Sequence, residues 1–75
     1  MVEKRGEHML KKFRIDKNMT QRELAYELDT SVQTISRYEL GERIPKNETI
    51  QKIVEVLKLN NKQELELRRS FGKKD

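Results

Sequence analysis

The sequence predicts an all-α fold, a compact bundle of five short helices. Three observations lead to this prediction. Apolar residues recur three and four positions apart, residues that typically start or end helices separate these stretches, and no stretch shows the strict alternation of a strand. The chain has 75 residues, enough for one small domain. We therefore expect a single domain over residues 1–75, with a core at about 7–59 and a C-terminal helix and tail over 60–75.

Residues with known preferences for helix ends set the boundaries of the five elements. Thr20 begins a Thr-x-x-Glu capping box with Glu23, and Ser31 is a suitable N-cap for the next helix. Asn18 and Gly41 tolerate the left-handed backbone that often follows a helix. The predicted helices cover residues 7–17, 21–28, 32–40, 46 or 47–57, and 62–70.

The last two predicted helices differ in the clarity of their apolar pattern. The fourth has a stripe at i, i+3, i+4 and i+7 that begins at Ile50. In the fifth, Leu65 and Leu67 are two positions apart, which places them about 200° apart around the helix axis. We therefore expect one of them to pack inward and the other, together with Phe71, to face a second copy of the chain.

Composition limits the classes of function. The chain has 17 Lys and Arg residues against 13 Asp and Glu residues, a net charge of +4. This balance suits a polyanionic partner such as nucleic acid, although a solvated Lys/Glu surface has the same composition. The chain has no cysteine and one histidine, which excludes a disulfide framework and a zinc finger. We expect no metal and no cofactor.

Membrane and enzyme functions have no support in the sequence. No apolar run approaches the roughly 20 residues that span a bilayer, and the N-terminus does not lead into an apolar signal segment. We therefore expect no membrane contact and a cytoplasmic location. The three glycines are too scattered for a phosphate-binding loop, and no nucleophile is paired with a base. We expect that the chain is not an enzyme.

Residues 20–41 have the layout of a helix-turn-helix. Two short helices joined by a three-residue turn must cross steeply, and Ala25 provides a small residue where they approach. The turn calls for a left-handed residue, usually Gly, and Asp29 occupies that position. When Ile35 is buried, the outer face of the helix predicted over residues 32–40 has an amide, hydroxyls and a guanidinium. These groups bind base edges and phosphates in the DNA major groove. The outward residues are Gln33, Thr34, Ser36, Arg37 and Leu40, with Val32 at the start of the helix.

The segment from Met19 to Gly41 closely resembles the helix-turn-helix of the Cro/repressor family, also called XRE-type. The residues that match are Thr20-Gln21-x-Glu23-Leu24-Ala25 in the second helix, and Ile35-Ser36-x-x-Glu39-x-Gly41 followed by Pro45 in and after the recognition helix. The likeness covers about residues 9–59. It implies a phage-repressor-like domain that binds double-stranded DNA and regulates transcription, as a repressor and as a homodimer.

The resemblance also implies roles for individual residues. Base contacts are implied for Val32, Gln33 and Arg37. Phosphate contacts are implied for Gln21 and for Arg43 in the following loop, and Thr34 and Ser36 match nearby positions that touch phosphates or bases. A buried ion pair between the first helix and the recognition helix is implied for Arg14 and Glu39.

Three positions depart from the family pattern. Asp29 replaces the usual glycine of the turn. Leu40 stands where a polar, phosphate-contacting residue is common, and Glu42 places a negative charge beside the loop of Arg43. The last two departures weaken the phosphate contacts that can be assigned at the end of the recognition helix.

Two classes of function remain open. The chain is either a sequence-specific regulator that occupies a promoter or operator, or an interaction protein such as an antitoxin, whose C-terminal segment binds a protein partner and whose DNA binding serves autoregulation. The first predicts that residues 60–75 pair with a second copy or pack on the core. The second predicts that they are loose until a partner binds.

Overall fold

The computed structural model describes residues 9–72, which form five α-helices and no strand. The helices are α1 (Met9–Asp16), α2 (Gln21–Glu27), α3 (Val32–Leu40), α4 (Asn47–Val56) and α5 (Asn61–Gly72). The predicted all-α fold is confirmed. The predicted start of the first helix at residue 7 and the last three residues of the predicted tail lie outside the described residues.

Side chains cap the starts of three helices. The Thr20 hydroxyl accepts a hydrogen bond from the Glu23 amide at 3.0 Å, and the Glu23 carboxylate accepts one from the Thr20 amide at 2.9 Å. This confirms the predicted capping box. The Ser31 hydroxyl caps α3 through a backbone amide of its first turn at 3.2 Å. A second reciprocal pair, Asn60 with Gln63 at 2.8 and 3.0 Å, starts α5 and was not predicted.

The first four helices end in the same way. A residue with a left-handed backbone follows each helix: Asn18 (φ 56°), Asp29 (φ 59°), Gly41 (φ 79°) and Lys58 (φ 52°). The amide after it donates to the carbonyl five positions earlier at 2.9–3.1 Å, which satisfies a carbonyl that the helix leaves open. The sequence predicted this role for the first three, whereas Lys58 has no side chain that favours it.

The core includes residues of all five helices and extends beyond the predicted limit at residue 59. Leu67 and Phe71 of α5 are buried with it. The other core residues are Leu10, Phe13, Leu24, Ala25, Ile35, Tyr38, Ile50, Ile53, Leu57 and Leu59. The α5 helix therefore belongs to the folded unit.

The orientation of α5 corrects one expectation about its apolar residues. Leu67 packs inward and Leu65 is 55% exposed, but the expectation that Phe71 faces a second copy is wrong. Phe71 is buried, with its ring edge-to-face against Tyr38 at a centroid distance of 6.4 Å. The reason is that α5 continues to Gly72, so Leu67 and Phe71, four positions apart, lie on the same face of one helix.

A half-exposed arginine joins α5 to α4. The Arg68 guanidinium contacts the Glu64 carboxylate at 3.0 Å within α5. It also donates to the side-chain oxygens of Asn47 at 2.6 Å and Gln51 at 3.1 Å in α4. These contacts hold the outer sides of the two helices together, while the apolar residues of α5 face the core.

Candidate nucleic-acid interface

The α3 helix has one buried face and one exposed face. Ile35, Tyr38 and Glu39 are buried, with Ile35 fully inaccessible to solvent. These positions lie three and four apart, so they form one side of the helix. The α2 and α1 helices pack against α3, and the side of α3 away from them is open to solvent.

The exposed face of α3 presents all three residues for which base contacts are implied. Val32, Gln33 and Arg37 are all exposed. Gln33 and Arg37 are four positions apart and therefore neighbours on the helix surface. Among residues 9–72, neither the Gln33 amide nor the Arg37 guanidinium has a hydrogen-bonding partner in the protein. Both groups are available to an external ligand.

The two hydroxyl residues of α3 are less accessible. Thr34 and Ser36 are half-buried, and the Thr34 hydroxyl lies 3.0 Å from the Ser31 hydroxyl at the start of the helix. The cap therefore holds Thr34 in place beside the exposed residues. A ligand that reaches these hydroxyls has to approach the start of α3 closely.

Below the exposed face, an arginine and a glutamate join the first helix to the third. The structure brings together Arg14 of α1 and Glu39 of α3, with Nε to Oε2 at 2.5 Å and Nη2 to Oε1 at 3.3 Å. Both residues are buried, Arg14 at 8% and Glu39 at 3% exposure. The remaining Arg14 nitrogen, Nη1, donates to the Met19 carbonyl at 2.7 Å. The α3 helix is therefore fixed both to α1 and to the segment that precedes α2.

A third side chain completes this group, and the sequence did not predict its contact. Gln21, the first residue of α2, donates from Nε2 to the Glu39 Oε1 atom at 2.9 Å. The Gln21 side chain is half-buried, so part of it remains open to solvent. No pattern in the sequence joins positions 21 and 39, because their contact depends on how α2 and α3 cross.

The first residues of the loop after α3 are exposed. Arg43 is exposed, as its implied phosphate contact requires, and so is the neighbouring Glu42. The apolar residues Leu40 and Ile44 are 51% and 63% exposed. Leu40 and Glu42, the two departures from the family pattern that are expected to weaken phosphate contacts, are therefore both exposed to solvent.

The described part of the chain has neither a metal-ligand cluster nor a membrane-spanning helix. Between Met9 and Gly72 there is no group of three or more His, Asp or Glu side chains that could hold a metal ion. Over the same residues, every helix is too short or too polar to cross a membrane.

One of three comparisons with known proteins finds a match for this chain. No curated protein and no solved structure matches the chain significantly. A helix-turn-helix family model of the XRE type, however, matches residues 10–60, which includes all of α2, α3 and α4. This is more than half of the chain. The chain therefore belongs to the Cro/repressor (XRE-type) helix-turn-helix family of DNA-binding transcription regulators.

Proposed function

We propose that the chain is a sequence-specific repressor that occupies a promoter or operator with α3 in the DNA major groove. The observation that supports this most is the exposed face of α3. There Gln33 and Arg37 lie side by side without a partner among the described residues, above the buried Ile35. The proposal includes a cytoplasmic location and no catalytic step.

The chemistry of the exposed side chains suggests which bases they contact. The Gln33 amide can accept from N6 of adenine with its oxygen and donate to N7 with its nitrogen, and the Arg37 fork suits O6 and N7 of guanine. Val32 is apolar and suits the methyl group of thymine. These three residues are the proposed base contacts.

Phosphate contacts position the protein on the duplex rather than select its sequence. We assign them to Gln21, Thr34, Ser36 and Arg43, which lie around α3 on α2, on α3 itself and in the following loop. Arg43 is the one cation in this set. It alone is expected to release a counterion from the duplex on binding.

We also propose that two copies bind one site. A two-fold dimer places its recognition helices about 34–36 Å apart, one turn of DNA. The exposed Leu65 on α5 is an apolar residue available to such a contact, whereas Phe71 is not. Sedimentation of the free protein and of its DNA complex tests the dimer, and a strict monomer in both states contradicts it.

The burial of α5 bears on the alternative function. A C-terminal segment that stays loose until a protein partner binds was the expectation for an antitoxin. Residues Asn61–Gly72 instead form a helix with Leu67 and Phe71 in the core. This arrangement favours the regulator over the antitoxin.

The test of base recognition begins with selection of bound duplexes from random DNA. The preferred site and its single-base variants are then titrated with Gln33→Ala and with Arg37→Ala. We expect each substitution to cost about 1–3 kcal/mol on the preferred site and to relax the preference at one base position. Arg69→Ala removes an exposed cation from α5 and is the matched control, for which the ranking of sites stays unchanged. An unchanged ranking with Gln33→Ala and Arg37→Ala contradicts the proposal and points to a protein partner for α3.

The test of phosphate binding uses salt. Arg43→Ala is expected to reduce the slope of log affinity against log salt by about 1. Gln21→Ala is expected to weaken binding to all sequences alike and to leave the slope nearly unchanged, because the side chain is neutral. If Arg43→Ala leaves the slope as it was, the loop after α3 does not approach the DNA backbone.

A further inference from the structure

We propose that the Arg14–Glu39 pair positions the Gln21 amide for its phosphate contact, in addition to joining α1 to α3. This inference rests on the proposed function, because it assigns a role within the DNA contact. Glu39 is a positioning residue here: it is buried at 3% exposure and acts on the DNA through Gln21.

The contacts form a continuous chain from the core to the surface. Both Arg14 Nη2 and Gln21 Nε2 donate to the same atom of Glu39, Oε1, at 3.3 and 2.9 Å. The other carboxylate oxygen accepts from Arg14 Nε at 2.5 Å. The carboxylate is therefore held by the guanidinium, and the orientation of the carboxylate fixes that of the Gln21 amide.

Burial makes this arrangement persistent. An ionised acceptor gives a stronger hydrogen bond than a neutral one, and water competes little for a carboxylate that is almost completely buried. The Gln21 Nε2 atom has two N–H groups. While one of them donates to Glu39, the direction of the other is set, and Gln21 is only half-buried, so a ligand can reach part of the residue.

The benefit to binding comes from reduced freedom. A free glutamine on a helix surface loses rotamer entropy when a phosphate holds it, and a side chain already held in one conformation does not. Because Glu39 belongs to α3, the position of the amide is also fixed relative to the helix that contacts the bases. The phosphate contact and the base contacts therefore share one register.

The experiment replaces both members of the pair by apolar residues, Arg14→Met with Glu39→Leu. Such a replacement of a buried pair is often neutral for stability, and it leaves the net charge at +4, because one cation and one anion are removed. We expect DNA affinity to fall about three- to tenfold, the effect of releasing one ordered side chain. In a Gln21→Ala background the same replacement is expected to change affinity by less than about twofold, because the residue on which it acts is gone.

The matched control is Arg68→Met with Glu64→Leu. It removes the half-exposed pair on α5, also without a change in net charge, and it is expected to leave DNA affinity within about twofold of the unaltered chain. Equal losses from the Arg14/Glu39 replacement with and without Gln21, or no loss in either background, overturn the inference. Failure of the unaltered chain to bind any duplex is a different result and overturns the proposed function.

A second measurement decides the matter if the Arg14/Glu39 replacement does not fold. In the free, unaltered protein, nitrogen relaxation of side-chain amides reports their mobility on the ps–ns timescale. The Gln21 amide is expected to be rigid, and the exposed Gln33 amide to be mobile. A Gln21 amide as mobile as that of Gln33 overturns the inference.

Discussion

Two arginines of this molecule make similar hydrogen bonds in different surroundings. Arg14 contacts Glu39 and the Met19 carbonyl, and Arg68 contacts Glu64 and two polar side chains of α4. In the first ion pair the side chains are 10% and 4% exposed, and in the second they are 30% and 27% exposed. The two arginines therefore make the same number of hydrogen bonds at different degrees of burial, and burial rather than number is expected to decide their effect on stability.

The physical difference is what replaces each contact when it is broken. At the half-exposed pair, water solvates the charge that remains, so such pairs contribute little. At the buried pair, the remaining charge stays without a partner in a medium that solvates it poorly. We therefore expect the loss of one partner to be costly at Arg14–Glu39 and minor at Arg68–Glu64, although each arginine donates three hydrogen bonds.

The largest expected effect is that of Glu39→Ala. It leaves the Arg14 guanidinium buried without its carboxylate, at a cost of roughly 3–5 kcal/mol. For a chain of this length that lowers the melting temperature by more than about 10 °C, measured by circular dichroism. Glu64→Ala is the control and is expected to cost less than about 1 kcal/mol. If Glu39→Ala melts within a degree or two of the unaltered chain, the two pairs do not differ.

The next effect concerns what holds α5 in place. If Arg68 contributes little to the attachment of α5, the burial of its apolar residues has to hold it on the core. Leu67→Ala is therefore expected to cost about 2–5 kcal/mol. Leu65→Ala makes the same chemical change on the same helix at a 55% exposed position, and is expected to stay within about 0.5 kcal/mol. Unfolding in urea measures both. Similar values for the two variants contradict the inward packing of Leu67.

A smaller effect is expected at Arg68 itself. Arg68→Met keeps an unbranched apolar stem and removes the guanidinium, at a cost of about 1 kcal/mol or less. Because salt screens half-exposed charges more than buried ones, this cost is expected to shrink at about 1 M salt, whereas the cost of Glu39→Ala persists. A salt-independent cost at Arg68 indicates that its hydrogen bonds to α4 matter more than its charge.

The smallest effect is expected in the loop between the two helices that Arg68 joins. Lys58 has a left-handed backbone that glycine adopts without a steric penalty. Lys58→Gly is therefore expected to stabilise the fold by about 0.5 kcal/mol. The gain is expected to be the same in an Arg68→Met background if the loop and the guanidinium act independently. A loss of stability in thermal melts means that the Lys58 side chain has a role that offsets its strain.

Short-range patterns in the sequence predicted most of the fold. The capping box of Thr20 and Glu23 and the left-handed residues Asn18, Asp29 and Gly41 depend on neighbours within a few positions, so they can be recognised without a structure. The box of Asn60 and Gln63 has the same spacing as that of Thr20 and Glu23. The sequence did not predict it, because asparagine also suits the end of a helix and Asn60 lies between two helices.

Contacts between distant segments were harder to predict. The resemblance to the family implied that Arg14 and Glu39 pair, but nothing local showed that Gln21 joins them, because that contact depends on the crossing of α2 and α3. The prediction for Phe71 was wrong for a similar reason. The expected orientation of the helix rested on Leu65 and Leu67, which are two positions apart, whereas the residues that form its buried stripe are Leu67 and Phe71.

The buried pair also constrains how this protein can change over generations. A single substitution at position 14 or 39 leaves one buried charge without its partner. Only a second substitution at the other position removes that unpaired charge. Related proteins are therefore expected to keep both residues or to replace both. If Gln21 depends on the pair, lineages with an apolar pair are also expected to vary more freely at position 21. A sequence alignment of such relatives shows this as covariation among three positions that are far apart in the chain.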